Sequence, residues 1–346
     1  MKLGLQIGYW GREAPAGITD TIAEVERLGY DSIWTAESWG SDCLTPLAWW
    51  GSQTTSLRLG TDLMQLSART PTAAAMAALT MDHLSDGRFV LGLGVSGPQV
   101  VEGWYGQPFP KPLARTREYV DIIRQVLARE APVTNDGPHY PLPLPTERGA
   151  LGLGKPLKSI TWPRRADLPI LLGAEGPKNV ALAAEIADGW FPIFYSPRHE
   201  HLYGESLDAG FARRSSSLRP ASEFEVLPTV TVIIDDDVEA AADMLRPMMA
   251  LYVGGMGAKE MNFHFDVFCR LGYEAEAHNI QDLYLEGRKD EAAAAVPTKM
   301  IEEIHLIGPV EKIRDELEIW KSSRVTTMLL GSRDPGLLRT MAELVL

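Results

Sequence analysis

Eight short apolar runs recur along the chain, and most of them are followed by a segment of helical period. They begin at Leu3–Ile7, Asp31–Thr35, Leu57–Leu66 and Phe89–Leu93, and continue with one at Ile170, Trp190–Ile193, Val226–Ile234 and Val325–Leu330. Between them, Ile18, Ile22, Val25 and Leu28 share one helix face, as do Tyr119, Ile122, Ile123, Val126 and Leu127, and later Val310, Ile313, Leu317 and Trp320. Short strand-to-helix turns require parallel pairing with right-handed crossovers. Eight such units close into a ring with no exposed edge, whereas an open doubly wound sheet would need edge-like strands, and none reads that way. The expected fold is therefore an α/β (β/α)8 TIM barrel forming one domain over residues 1–346. Two stretches break the rhythm. Residues 131–168 are rich in Pro and Gly and lack any period, which predicts a long surface excursion before the fifth strand. Residues 240–300 predict a helical excursion after the seventh strand, with helices over Met244–Tyr252, Lys259–Leu271 and Gln281–Ala295.

The tightest local signal is Ile170-Leu171-Leu172-Gly173-Ala174-Glu175-Gly176-Pro177-Lys178-Asn179. An apolar strand turns sharply between Gly173 and Gly176, and Pro177 suits the first helical position, where a missing N–H is harmless. The helix that follows buries Val180, Ala183, Ala184 and Ala187 and stops at Asp188-Gly189. Its free N–H groups, beside Lys178, suit an anion-binding turn, the alternative from this segment alone being a plain helix cap with a surface lysine.

In a barrel the chemistry lies at the carboxyl ends of the strands. Those ends carry Tyr9-Trp10, Glu37-Ser38-Trp39, Asp62-Leu63-Met64-Gln65, Ser96-Gly97, Gly173 to Lys178, and Phe194-Tyr195-Ser196. Aromatics, glycines and single polar groups gathered at one rim suit a large, flat, phosphate-bearing heterocycle. Asp62 stands out as an acid within an otherwise apolar strand, where a carboxylate is costly unless it is paired or solvated.

Other motifs fail on their context. Gly92-Leu93-Gly94-Val95-Ser96-Gly97 matches the dinucleotide fingerprint, but Pro98 and the extended Pro108-Phe109-Pro110 replace the long helix it should open. Gly149 to Lys155 resembles a phosphate loop, but Pro156 occupies the metal-binding hydroxyl position. His199-Glu200-His201 and His264-Phe265-Asp266 lack the i, i+4 pair of a zinc helix, and Cys43 and Cys269 make neither a disulfide framework nor a ligand spacing. No metal is expected. A net charge of −13 argues against a nucleic-acid partner, since counterion release needs clustered Lys and Arg. The opening residues read as a strand rather than a signal peptide, and no apolar run could span a bilayer, so a cytoplasmic location is expected.

Taken together, these segments resemble the bacterial luciferase-like superfamily, in particular its coenzyme F420-dependent oxidoreductases of actinobacterial type. The resemblance is carried from end to end by Leu3 to Trp10, Thr35-Ala36-Glu37-Ser38-Trp39-Gly40, Leu59 to Pro71, Leu91 to Gly97, Leu172 to Asn179, Ala187-Asp188-Gly189-Trp190, and Gly254 to Gly257 with Asn262-Phe263-His264. It implies a deazaflavin in the barrel mouth, its phosphate-bearing tail at Gly173, Gly176, Pro177, Lys178 and Asn179. It also implies a non-prolyl cis peptide at Asp62–Leu63 against the ring, with Asp62 standing where relatives usually carry a small residue. Glu37, Ser38, Ser96 and Gly97 fall on positions that surround the cofactor in relatives, and Gln65, at the end of the third strand, is expected to join them in binding it. Sugar-phosphate dehydrogenases of this branch carry a histidine and an acid where this chain has Ser38 and Pro98, so a sugar phosphate is disfavoured.

The resulting expectation is hydride transfer between F420 and a small organic substrate, with Glu37, Tyr195 and His264 as the catalytic candidates and Glu102 as a further proton donor. An FMN-dependent monooxygenase and a non-catalytic cofactor-binding barrel are the alternatives. The two excursions could close over the mouth. The resemblance further implies a homodimer through helices flanking the second and third strands.

Overall fold

A computed structural model of the chain describes residues 1–257, 259 and 262–346. In chain order, β1 (Lys2–Gly8) leads through α1 (Ile18–Arg27) to β2 (Ser32–Thr35), and α2 (Leu44–Gly51) leads to β3 (Arg58–Thr61) and the short β4 (Met64–Gln65). Then come α3 (Pro71–Leu84), β5 (Phe89–Gly94), α4 (Pro98–Gly103), α5 (Pro112–Ala128), β6 (Ile170–Gly173), α6 (Pro177–Ile186), β7 (Gly189–Phe191) and α7 (His201–Phe211). After β8 (Glu225–Val226), β9 (Thr229–Val230) and β10 (Val232–Ile234) follow helices α8 (Val238–Asp243), α9 (Arg246–Gly255), α10 (Phe263–Arg270), α11 (Glu274–Leu285), α12 (Lys289–Ala294) and α13 (Thr298–Glu302). The chain finishes with β11 (Leu306–Gly308), α14 (Val310–Ser322), β12 (Thr327–Leu330) and α15 (Pro335–Val345).

Every strand pairing is parallel, in the order β8-β7-β6-β5-β3-β2-β1-β12-β9, with β4 on β5. β8 and β9 are halves of one strand bent at Leu227-Pro228, so the two ends of that order meet and the sheet curls into a closed α/β barrel. Proline cannot donate to a ladder, which is why the predicted run from Val226 to Ile234 is broken there. Its last part, β10, leaves the barrel to pair with β11, a strand the periodicity does not announce. The predicted third strand is likewise split, at Asp62–Leu63, where the peptide bond is cis.

Alternation sorts the side chains. Leu3, Leu5, Ile33, Leu59, Leu91, Ile170, Leu172 and Trp190 face the helices in the main core. The barrel interior is filled by Trp34, Val90, Leu171, Phe191, Leu227 and Leu329, with Trp34 and Phe191 edge to face at 5.2 Å. Two rings of that size fit because the facing strand positions are glycine: a Cβ on Gly60 would lie 2.0 Å from the Trp34 ring, and one on Gly92 would lie 1.9 Å from the Thr61 carbonyl oxygen and 2.8 Å from Phe191. At the amino end of the barrel, Arg58 reaches across to Glu225 through bonds of 2.7 and 2.8 Å.

Residues 131–168 contain one antiparallel bridge, Asn135 with Leu142, and a single 3-10 turn at Thr146–Arg148. The helices from α8 to α13 build their own core, joined to the barrel by Phe194, whose ring lies 5.2 Å from Tyr252 and 5.1 Å from Phe268. Of the predicted helix Lys259–Leu271, Glu260 and Met261 lie outside the described residues. The helix itself starts at Phe263, where the Asn262 side chain accepts from the N–H groups of His264 and Phe265. The predicted helix Gln281–Ala295 is two helices, interrupted at Glu286-Gly287-Arg288, where Gly287 takes a positive φ that suits a helix end.

Candidate active site

Parallel pairing brings the carboxyl ends of all the barrel strands to one face. Above the apolar filling, three inward positions are polar: Gln6 on β1, Asp62 after β3 and Thr229 on β9. The Gln6 amide donates to the Asp62 carboxylate and, at 3.2 Å, to the Asp62 carbonyl, and its own oxygen accepts from the Gly8 N–H. Thr229 Oγ1 lies 3.5 Å from Asp62 Oδ2. Asp62 is set deep in the barrel yet keeps part of its surface open to the mouth. Removal from bulk water pushes its carboxyl up to about 7, against the smaller opposing effect of its two neutral donors. The inward phase of β1 (Gly4, Gln6, Gly8) shows in hindsight why Gln6 belongs to the site, and Thr229 follows from the same alternation on the seventh strand.

Leu63 projects between two strand ends. A Cβ on Gly94 would lie 2.7 Å from Leu63 Cδ1, and one on Gly173 would lie 2.3 Å from it. The mouth is thus walled by glycine backbone on both sides of a bulge made by Asp62 and Leu63.

The turn after β6 is held open. Trp190 Nε1 donates to the Ala174 carbonyl at 2.7 Å, and Arg270, from α10, donates to the Glu175 carbonyl at 3.1 Å. Gly176 caps α6 without a side-chain hydrogen bond, and among the described residues no protein acceptor meets the N–H groups of Glu175, Gly176 and Lys178. Lys178 is exposed beside them, and Asn179 is half-buried one residue on. Arg270 carries no motif that could have announced it.

The remaining predicted site residues separate into groups. Ser38 sits at the rim with its carbonyl bonded by Tyr105 Oη and Gln65 Nε2, and Ser96 adopts a left-handed φ of 58° before Gly97, which caps α4. Gln65 is buried and bonds the Glu37 and Ser38 carbonyls, so it holds the rim from behind. Glu37 is buried: its carboxylate accepts from Arg69 at 3.0 and 3.1 Å, from Gln65 N–H at 2.8 Å and from Cys43 N–H at 3.4 Å. Tyr195 lies behind the sheet, stacked on Tyr203 at 5.5 Å and packed on Trp190 and Trp320, with its hydroxyl on Glu200. Burial and Glu200 push that phenol well above its ordinary range. His264 packs on Phe194 and Tyr252, with Nδ1 2.9 Å from Glu175 Oε2 in a contact that lacks hydrogen-bond alignment. Glu102 is exposed on α4 and accepts from the Phe109 N–H at 3.3 Å. A cavity of about 230 Å³ flanks the mouth, lined by residues including Arg69, Arg115 and Tyr140. Among the described residues no cluster of His, Cys, Asp and Glu could hold a metal ion, and no helix is long and apolar enough to cross a membrane.

This geometry has counterparts. The family model described as luciferase-like monooxygenase matches residues 4–327. A Mycobacterium tuberculosis protein, named provisionally as a coenzyme F420-dependent oxidoreductase, is 57% identical over 345 residues, covering 100% of this chain and 99% of that protein. The coenzyme F420-dependent tetrahydromethanopterin reductase from Methanopyrus kandleri superposes with a TM-score of 0.79 at 22% identity, covering 99% of this chain and 98% of the reductase. An F420-dependent secondary alcohol dehydrogenase, solved with an F420-acetone adduct, superposes with a TM-score of 0.76 at 17% identity over 99% of this chain and 98% of that one. Both structures share the barrel and its surrounding helices. The chain belongs to the luciferase-like monooxygenase family.

Proposed function

We propose that this enzyme is a coenzyme F420-dependent oxidoreductase that moves a hydride between the deazaflavin and a small organic substrate. The observation that carries the reading is the pairing of a glycine-walled bulge at Asp62–Leu63 with an uncapped, Lys178-flanked start of α6 on the same rim. The 57% identity to a protein named for F420 supports the choice of cofactor.

The residues fit such a carrier. The backbone around Leu63, with Gly94 and Gly173 on either side, gives a flat ring close approach, and Ser38, Ser96 and Gly97 complete the rim. Gly173, Gly176, Pro177, Lys178 and Asn179 offer backbone donors and a cation to a phosphate, the favoured arrangement at a helix N-terminus. When bound, the deazaflavin supplies the hydride chemistry, and the chain's own residues place the substrate and exclude water. Glu37 and Gln65 act here as positioning residues, because the Glu37 carboxylate is held by Arg69 and backbone N–H groups and the Gln65 amide nitrogen donates to the rim backbone. His264 acts through Glu175 on the phosphate turn, and Tyr195 packs the barrel against α7 and α14. A homodimer in the cytoplasm completes the reading; Cys43 and Cys269 are both free thiols.

Fluorescence titration with F420 and with FMN tests the cofactor. Micromolar or tighter F420 binding is expected, followed by bleaching of reduced F420 against a panel of enones, imines and nitroaromatics. Tight FMN binding with no F420 affinity would replace this reading with a flavin monooxygenase. F420 binding with no bleaching across the panel would favour a carrier barrel.

A further inference from the structure

Among the described residues Asp62 is the only acid of the polar layer that floors the mouth, and no group of that layer neutralises it. From β1 it meets the Gln6 amide and from β9 the Thr229 hydroxyl, both uncharged. Beyond Leu63, on the β2 and β4 side, the charged groups are Glu37, Asp42 and Arg69; both carboxylates pair with the one guanidinium, which leaves no cation over for Asp62. Among the described residues no cation pairs with Asp62. A carboxylate so placed has lost bulk water without gaining a counter-charge, and burial without pairing favours the neutral acid. A ring laid over Leu63 would remove the water that still reaches Asp62 from the mouth, and an anionic carrier would add like charge above it. Both effects favour the protonated form further.

On the assignment of a hydride-carrier site made above, we propose that seating the carrier ring takes up a proton onto the Asp62 carboxyl group, which then faces the ring as a hydrogen-bond-donating acid. One proton passes from solvent to a carboxylate oxygen, and no bond of the carrier changes in this step. The class of ligand recognised is a flat, anionic heterocycle with an acceptor edge turned to the barrel floor. Asp62 thereby gains a role that its place at the break between β3 and β4 does not disclose, and Gln6 becomes the residue that tunes its acidity. With its carboxyl near 7 in the open mouth, about half of the molecules carry the proton at pH 7 before binding.

The test uses the full chain with F420 as probe, comparing wild type with Asp62→Asn. In the empty protein, the urea midpoint of wild type relative to the variant should fall as pH rises from about 4 to 7. A group that holds its proton more tightly when folded contributes stability below its unfolded value and loses it through its folded one. With F420 titrated in weak buffer at pH 7, an indicator dye should report about half a proton more taken up per bound F420 by wild type than by the variant. The excess should vanish near pH 5.5, where Asp62 is already protonated. Equal proton uptake by the two proteins overturns the proposal while F420 binding itself keeps the functional reading. Parallel urea profiles in the empty protein overturn it as well. Failure of wild type to bind F420 overturns both, and the empty-protein profiles then still show whether Asp62 is the unusual acid. If Asp62→Asn does not fold, Gln6→Met keeps the acid and removes its main donor. The midpoint pH at which the empty protein's urea profile falls should then move up, and the uptake at pH 7 should fall below that of wild type, since more of the acid is already protonated. An unmoved midpoint contradicts the proposal.

Discussion

The Glu37 carboxylate is clasped by the Arg69 guanidinium at 3.0 and 3.1 Å, and backbone N–H groups of Gln65 and Cys43 occupy its remaining lone pairs. Its side chain is 3% exposed, so the pair ties the loop after β2 to the loop after β4 at the edge of the mouth. Removing one partner of a buried pair leaves the other uncompensated. Glu37→Ala should therefore lower unfolding stability by about 3 kcal/mol, with Glu37→Gln losing less, as read from urea midpoints. A proton donor would behave otherwise: turnover would vanish while the midpoint stayed in place.

Leu63 and Gly173 supply a second prediction. A Cβ at Gly173 would come within 2.3 Å of Leu63 Cδ1, and retreat toward β5 is limited by Gly94, whose Cβ position is 2.7 Å from the same atom. Gly173→Ala should cost about 1–3 kcal/mol, the usual range for overpacking, and should weaken F420 binding because the bulge is displaced. Leu63→Ala added to it should recover stability but not affinity. Additive losses in the double variant, measured by urea unfolding, would mean that the two residues do not share this contact.

The barrel was legible in the sequence because strand and helix periods alternate eight times and the inward phase carries its own pattern. The site was legible only in part. Gly173 to Asn179 declares itself locally, as a strand, a tight turn and a proline-led helix. Glu37, Tyr195 and His264 look alike in sequence, each a reactive residue near a strand end or in the helical excursion. Which atoms face the mouth depends on partners 5 to 89 positions away, Glu200 for Tyr195, Arg69 for Glu37 and Glu175 for His264. Gln6 and Thr229 were passed over because a single polar residue in a short strand gives no local sign of facing an acid. The break at Leu227-Pro228 is hidden by apolar neighbours that continue the strand pattern on either side, and the one at Asp62–Leu63 is signalled by the family resemblance rather than by the strand pattern.

Lys178 is exposed beside the uncapped start of α6, and its charge adds to donors already directed by the helix. Lys178→Ala should weaken F420 binding about tenfold at low salt, the lower end of what a charge-assisted bond contributes, with unfolding stability unchanged. The difference from wild type should shrink as ionic strength rises, because an exposed charge is screened. Equal affinities at low salt would place the phosphate away from α6.

His305 gives a pH signature opposite in sign to that of Asp62. It is buried at the start of the β10–β11 pair, where Nδ1 accepts from the Thr231 N–H at 3.2 Å and Nε2 has no partner among the described residues. Burial pushes the imidazole down to about 4 from its ordinary 6.5, so the folded chain holds it neutral while the unfolded chain charges it. The unfolded state then binds more protons between those values, and stability is lost as pH falls from 6.5 toward 4. Asp62, pushed up to about 7, loses stability as pH rises through nearly the same window. In wild type the two slopes offset each other, which masks both. His305→Gln keeps an acceptor for Thr231 and cannot be charged, so relative to wild type its urea midpoint should rise as pH falls from 6.5 to 4. The full difference at the acid end corresponds to about 3 kcal/mol. Asp62→Asn should tilt the profile the other way, and the double variant should restore a nearly flat difference curve, because the side chains act through separate protons. Difference curves for the two single variants that tilt in the same direction would show that one of these environments has the opposite effect on its group.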